Sequence, residues 1–121
     1  MNLMVLFNLL LIITTIPNFE GSRQLLIFGK ELHSKSYEKQ INIFSDHKSG
    51  MKERDLMVVE VNQSDVLNKK YSIKPNEFII LLIGKDGTEK YRTTEWLSAA
   101  KLFALIDAMP MRKSEMKKSG D

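Results

Sequence analysis

The residues best suited to chemistry lie in the stretch GKELHSKS, which follows the first predicted strand. His33 precedes Ser34 and Ser36, and a serine close to a histidine could form a hydrolytic pair. Such a pair also needs an orienting acid and an oxyanion hole, and the sequence indicates neither. We therefore interpret the two serines as helix caps and His33 as a surface loop residue.

Thiol and metal chemistry find no support in these 121 residues. The chain has no cysteine, which excludes thiol catalysis, thiolate ligation of metals and disulfides. Its two histidines, His33 and His47, are too far apart in sequence to form a ligand pair at helical spacing. The segment GKDG is not a phosphate loop, because a Walker motif is longer and is followed by a helix. We predict no catalytic residue, no cofactor and no metal site.

The segment IDAMPMR near the C-terminus is the best candidate for a role beyond the core. Asp107 is unfavourable near a helix C-terminus, which prefers cations, and Arg112 could pair with it. One interpretation is a structural lock, with Met109 and Met111 packed against the end of the sheet. The other is an exposed patch for a partner, formed by Met109, Met111, Arg112 and Lys113, because methionine and arginine suit adaptable interfaces.

The N-terminal residues 3–16 are almost wholly apolar and uncharged. As a helix they would span roughly 21 Å, short of the roughly 30 Å hydrocarbon core of a bilayer. A secretory signal peptide over residues 1–22 fits this length, although no Lys or Arg precedes the apolar run. An uncleaved membrane anchor, or a strand or helix packed into the fold, are the alternatives. We expect a secreted or periplasmic protein that touches a membrane only through residues 1–22, if they are retained.

The rest of the composition is typical of one globular domain with a mixed surface charge. Eighteen basic and fifteen acidic residues give a net charge of +3. The signs alternate along most of the chain, and no basic run is interleaved with aromatic residues. Nucleic acid is therefore not an expected partner.

Apolar runs and helical periodicity predict an alternating order of elements. Four strands are predicted at residues 23–28, 56–61, 78–83 and 88–92. Gly84, Asp86 and Gly87 form a structural turn between the last two strands. Three helices are also predicted. The first is capped by Ser34 or Ser36, buries a face with Tyr37, Ile41 and Phe44, and ends at Gly50. The second is capped by Ser64 and buries Val66, Leu67 and Tyr71, and the third is capped by Ser98, buries Ala99, Leu102, Phe103 and Ile106, and ends before Pro110.

The order β-α-β-α-β-β-α predicts an α/β fold with a four-stranded mixed sheet flanked by helices. This is the thioredoxin-like arrangement, and we assign it to residues 23–112. Residues 113–121 form a polar tail, and we expect the chain to fray from Arg112 onward.

Two elements of a thioredoxin redox site are missing from the positions where they belong. The nucleophilic cysteine would begin the first helix, where a helix N-terminus lowers a thiol pKa, but this chain has only serines and a histidine there. The proline that faces such cysteines would align near Phe78 or Ile79. Pro75 comes too early and is interpreted as a strand-entry residue with a trans bond.

Four stretches, RQLLIF, ERDLMVVEV, FIILLIGKDGTEK and LFALIDAMPMRKSEM, resemble the P-DUDES group, a domain of unknown function. That group includes small bacterial secreted proteins, and its domain also occurs in extracellular-matrix proteins such as Equarin and the sushi-repeat protein SRPUL. The resemblance covers about four fifths of the chain. It implies a peroxiredoxin-like thioredoxin fold, export from the cytoplasm and no established enzymatic activity.

These observations favour an exported, non-catalytic module of the cell envelope or extracellular space that binds an unknown protein or envelope component. The alternative is an enzyme that uses non-sulfur groups in the former redox cleft. Lys30, Glu31 and His33, at the end of the first strand, could supply those groups.

Overall fold

The computed structural model describes residues 21–62 and 65–119. Nine elements follow one another in this part of the chain: β1 (Arg23–Phe28), α1 (Ser34–Ser45), α2 (Lys48–Glu53), β2 (Leu56–Glu60), α3 (Asp65–Lys70), β3 (Ile79–Ile83), β4 (Glu89–Thr93), α4 (Ala99–Asp107) and α5 (Pro110–Ser119). The predicted strands differ from the observed ones by one residue at most at either end.

The four strands form one mixed sheet in the order β2-β1-β3-β4. β1 runs parallel to β2 and antiparallel to β3, and β3 forms the predicted hairpin with β4. The continuous apolar runs of β1 and β3 follow from this order, because both strands lie in the middle of the sheet with helices on both faces. The predicted fold class is confirmed.

Alternate residues of the central strands supply two separate apolar layers. Leu25 and Ile27 of β1 face the layer that contains Tyr37 and Phe44 of α1 and Leu102 of α4. The neighbouring positions of β1, Leu26 and Phe28, face the second layer, which α3 and the segment after it cover with Leu67, Tyr71 and Ile73. β1 therefore lies between two apolar layers, one on each face of the sheet.

The first helical region differs from the sequence prediction at both ends. The N-cap of α1 is His33, with no side-chain capping bond, so neither Ser34 nor Ser36 caps the helix. Gly50 does not end a helix but lies within α2. A Cβ atom there would lie 2.7 Å from the ring of Phe103, so Gly50 allows α2 to approach α4 closely. Gly50 thus has a role in packing, which the prediction missed because it considered only residues close to Gly50 in sequence.

Of the predictions for the later helices, one is corrected, one falls outside the described residues and one is confirmed. Val66 is 71% exposed and does not share a buried face with Leu67 and Tyr71. The proposed cap Ser64 lies outside the described residues. The last helix is capped by Ser98, whose Oγ accepts a hydrogen bond from the Lys101 amide, as predicted.

The chain does not fray from Arg112. Pro110 is the first residue of a further helix, α5, which continues to Ser119. Proline suits this position because a helix's first amide hydrogens have no partner within the helix and proline lacks one. The predicted polar tail is therefore helical over most of its length.

The proposed signal peptide or anchor falls almost entirely on residues 1–20, which lie outside the described residues. Within residues 21–62 and 65–119, no helix combines the length and the apolar character needed to cross a bilayer.

Candidate functional site

A cleft of about 550 Å³ opens where β1 and β2 end. One wall is the segment after β1, from Phe28 to Glu31, and the opposite wall is the segment 73–77 that leads to β3. Val61 lies at the bottom of the cleft, and Asn68 and Lys69 of α3 line it between the two walls. In α/β sheets of this kind, ligands bind outside the carboxyl ends of the strands, which is where this cleft lies.

Gly29 sets the width of the cleft where its two walls meet. Its φ is +101°, which is a backbone conformation that favours glycine. A Cβ atom at Gly29 would lie 2.6 Å from both the Glu77 carbonyl oxygen and the Phe78 Cα. The turn after β1 can therefore lie against the Glu77–Phe78 backbone only because residue 29 has no side chain.

The cleft combines an apolar floor with a charged rim, in which Lys30, Lys69 and Lys74 outnumber Glu31 and Glu77. Phe28, Val61 and Ile73 are buried, whereas Lys69 and Lys74 are exposed at its edge. The buried Asn68 side-chain oxygen has no hydrogen-bond partner among the described residues. A buried acceptor without a partner is costly, so this atom is a ready position for a donor on a bound molecule. The arrangement suits a partly apolar ligand that also carries polar or anionic groups.

The residues proposed for catalysis do not assemble into a catalytic group. Lys30 and Glu31 line the cleft, but His33 does not. Its Nε2 lies 3.1 Å from the Asn76 carbonyl oxygen, and no hydrogen bond joins it to Ser34 or Ser36 in the described part of the chain. His33 is exposed, as expected of a loop residue at a helix start.

Metal ligands are likewise not gathered in the described part of the chain. The second histidine, His47, directs Nδ1 to the Ile43 carbonyl oxygen at 2.8 Å. Among residues 21–62 and 65–119, no three His, Asp or Glu side chains are close enough together to hold a metal ion.

The proposed partner-binding patch is only partly exposed. Arg112 is 4% exposed, Met109 packs against the core, and Met111 is 53% exposed beside the exposed Lys113. Arg112 Nε donates to Asp107 Oδ1 at 3.0 Å, so the expected pair is formed. The buried Arg112 is not available as an interface anchor, because its guanidinium is committed inside the protein.

Arg54 completes an ion-pair cluster around Asp107. Arg54 binds both carboxylate oxygens of Asp107, at 3.0 and 2.9 Å. Arg112 also donates to the Glu53 carbonyl oxygen at 3.2 Å. Asp107 thus tolerates its position at the end of α4 because two guanidinium groups compensate the helix dipole there.

A second cluster fixes α5 to the start of β1. Arg23 is 1% exposed and forms a bidentate pair with Glu115 at 3.1 Å to each oxygen. Lys85 Nζ bridges Glu115 and Asp55, at 2.8 Å to each. The sequence analysis missed this cluster, although an arginine that opens an apolar strand was a signal that a distant carboxylate would be needed.

These two clusters predict a loss of stability in acid. The hydrogen bonds from Arg54, and then from Arg112, lower the pKa of Asp107. Burial alone would raise the pKa of Glu115, but hydrogen bonds from Arg23 and Lys85 outweigh it and lower that pKa. Lowered carboxyl pKa values stabilise the fold above the unfolded values of about 4, and this contribution is lost as the pH falls through the folded-state values.

We expect the melting temperature to be nearly constant between about pH 5 and 7 and to fall below about pH 4. Thermal unfolding followed by circular dichroism at several pH values checks this. Asp107→Asn removes one of the carboxyl groups whose pKa is lowered, so the melting temperature of this variant should fall less steeply in acid. If the melting temperature of Asp107→Asn fell as steeply with decreasing pH as that of the wild type, the role given to Asp107 would be contradicted.

The predicted turn residues lie at the hairpin tip, away from the cleft. Gly87 has a φ of +81°, and its amide donates to the Gly84 carbonyl oxygen at 2.9 Å. Asp86 accepts from the Thr88 amide at 3.0 Å. The Lys90 ammonium, followed by the Thr88 hydrogen bonds, lowers the pKa of Asp86. The tip is thus tied together by its own side chains.

The family model described as "Domain of unknown function (DUF4174)" matches residues 19–115. Comparison with curated proteins finds no match. Among solved structures, the mitochondrial 2-cys peroxiredoxin from Plasmodium falciparum is similar at 14% identity and a TM-score of 0.57, covering 84% of this chain and 81% of that one. A structure described as that of a malarial protein is 21% identical, with a TM-score of 0.51, and covers 72% of this chain and 96% of that one. These likenesses show a thioredoxin-like fold.

Proposed function

We propose that this chain, which belongs to the DUF4174 family of domains of unknown function, is an exported, non-catalytic binding module of thioredoxin-like fold. Its partner would be a protein or another component of the cell envelope or extracellular space. The cleft at the ends of β1 and β2 is the proposed binding site. The observation that carries the proposal is this cleft of about 550 Å³, with a buried acceptor on Asn68, in a chain without cysteine.

The thioredoxin-like scaffold supports binding because ligands of such α/β sheets bind outside the carboxyl ends of the strands, and this chain has an open cleft there. The start of α1, where a redox cysteine would lie, holds His33, Ser34 and Ser36. The cleft lies next to it, at the segment from Phe28 to Glu31, where Gly29 is needed for close backbone packing. Lys69 and Lys74 offer charged contacts at the rim. One fold can host many unrelated functions, so a thioredoxin-like scaffold can serve in binding without thiol chemistry.

Peroxidase and disulfide reductase activity with thiol donors should be absent from the purified protein. The physical reason is that thiolate chemistry needs sulfur, which this sequence lacks. A coupled thiol-oxidation assay with hydrogen peroxide or insulin checks this against a heat-inactivated sample. Turnover above that control would contradict the non-catalytic proposal.

Export is supported by the uncharged apolar run at residues 3–16 and by the resemblance to the bacterial secreted proteins of the P-DUDES group. We predict that the protein isolated from its native cells begins near Ser22 or Arg23 and is found outside the cytoplasm. Mass spectrometry of the intact chain from each cell fraction measures this. A soluble cytoplasmic protein that retains Met1 would contradict export.

Affinity capture from the native cell envelope tests binding at the cleft. A cleft bait carries Lys69→Glu and Lys74→Glu, which reverse the charge of two of the three lysines at the rim. A control bait carries Lys117→Glu and Lys118→Glu, an equal charge change at the exposed end of α5. We expect a specifically captured component to be lost with the cleft bait and retained with the control bait. Equal capture by both variants would exclude the cleft rim as its binding site.

A further inference from the structure

The two edges of the sheet differ in how they are protected against pairing with another strand. β4, at one edge, has charged side chains at Glu89, Lys90 and Arg92. β2, at the other edge, has none between Leu56 and Val59, and Met57 is 45% exposed. Charges on an edge strand oppose edge-to-edge pairing, so β2, whose one charged residue is Glu60, is the less protected edge.

The outer side of β2 presents regularly spaced backbone groups. The Asp55 carbonyl oxygen accepts from the Arg23 amide, and the Val61 amide donates to the Ile27 carbonyl oxygen. Odd-numbered residues of β2 therefore direct their backbone groups towards β1. By the alternation of a strand, Leu56, Val58 and Glu60 direct theirs outward. Among the described strands, β1 is the sole neighbour of β2.

An apolar groove of about 490 Å³ runs beside this edge. Its apolar lining includes Ile41 and Phe44 of α1, Met51 of α2, and Leu56 and Val58 of β2. Lys52 also lines the groove, and its carbonyl oxygen accepts from the Asp55 amide, which places it at the Leu56 end of the strand. An added strand would thus find both backbone partners and an apolar surface for its side chains.

We propose that two copies of this chain pair antiparallel through β2, about a twofold axis at Val58. This register aligns the outward-facing residues, with Val58 opposite Val58 of the second copy and Leu56 opposite Glu60 of the second copy. Each such pair can exchange two backbone hydrogen bonds. The result is a continuous eight-stranded sheet with a closed, isologous interface.

The charges favour this antiparallel arrangement over a parallel one. In the antiparallel pair, Glu60 of one copy, whose Oε1 also accepts from the Tyr37 hydroxyl of its own chain at 2.9 Å, reaches the Leu56 end of the other copy. Lys48 and Lys52 line the groove with Asp55, which lies at that end and whose carboxylate is paired with Lys85, so this part of the groove is net positive. In a parallel pair in register, Glu60 would lie beside Glu60 of the second copy, and like charges opposite one another are destabilising. Because Glu60 and Lys52 lie at opposite ends of the same edge, the edge is self-complementary under a twofold axis, which is why we infer a second copy of the chain as its occupant.

A single cysteine tests the register, because the chain has no other. Val58→Cys places two thiols across the twofold axis, at a Cα separation of about 5.5 Å, within reach of a disulfide. Thr93→Cys on the β4 edge is the matched control. We expect mild oxidation or a short bis-maleimide to convert most of the full-length Val58→Cys protein to dimer and to leave Thr93→Cys at background. Equal cross-linking of the two variants would overturn the proposal.

Sedimentation of the full chain tests the dimer without a cysteine. We expect a monomer–dimer equilibrium, and Met57→Lys should raise its dissociation constant about tenfold or more, because each interface contains two Met57 positions. The melting temperature of the Met57→Lys monomer should stay close to that of the wild type. A wild-type protein that remains monomeric at all concentrations, including one whose β2 edge is covered by residues 1–20, would overturn the proposal.

Discussion

A protein truncated after Ala108 should lose about 3–5 kcal/mol of unfolding free energy, a large fraction of the stability of a domain of this size. The truncation removes α5 and with it Arg112 and Glu115. Arg23, which is 1% exposed when α5 is in place, would then have lost the carboxylate that pairs with it. Removing one partner of a buried ion pair costs far more than the pair itself contributes, because it leaves an uncompensated charge.

Urea denaturation followed by circular dichroism measures this loss. Truncation after Lys117 is the matched control, since it removes the end of α5 but keeps both Arg112 and Glu115. We expect the control to lie within about 0.5 kcal/mol of the full chain. An unchanged midpoint for the protein truncated after Ala108 would show that α5 is not a structural lock. Met111 and Lys113 would then be the residues to test as an interface.

Gly29→Ala should cost about 2–5 kcal/mol of unfolding free energy. The substitution forces an L side chain into a left-handed backbone conformation and drives its Cβ into the Glu77–Phe78 backbone. Gly87→Ala is a matched control, because Gly87 also has a positive φ but a Cβ there would meet nothing within 4 Å. The control should cost only the conformational part, about 1–2 kcal/mol.

The difference in unfolding free energy between these two alanine variants measures the cost of disturbing the close backbone contact at the cleft. Thermal and urea unfolding of both proteins under the same conditions give this difference. Equal costs at Gly29 and Gly87 would mean that the backbone walls of the cleft separate easily and that the cleft is not a fixed feature of the fold.

The lock and the cleft lie at opposite ends of the sheet. Arg23 opens β1 at the end bound to α5, whereas Phe28 closes β1 at the cleft. The cleft can therefore vary in its side chains without disturbing the contacts that hold α5. The contacts that stabilise α5 are therefore independent of the residues that line the cleft.

Local patterns were sufficient to predict the sheet. The apolar runs of β1 and β3, the Asp-Gly turn and the Ser98 cap each depend on neighbours in sequence, and their positions agree with the structure. Helix ends were less predictable where a tertiary contact decided them. Gly50 is needed within α2 because a side chain there would overlap the ring of Phe103. Pro110 begins α5, since proline is favoured at the first position of a helix as well as after a helix end.

The candidate site was predicted less well than the sheet. Lys30 and Glu31 follow a strand and were found from that position, but Asn68 and Lys74 reach the cleft only through the packing of α3. Likewise, Arg112 was recognised as a partner of Asp107, yet its burial depends on Glu53 and Glu115 as well. Contacts between distant segments leave no periodic pattern in a sequence.

Backbone amide chemical shifts, measured with and without the component captured from the envelope, test the central claim most directly. If the cleft binds that component, the largest changes should fall on residues 29–31 and 73–77, with smaller changes on the α5 surface and on β2. Changes concentrated at Met111 and Lys113 or along β2, with residues 29–31 and 73–77 unaffected, would contradict the assignment of the binding site to the cleft.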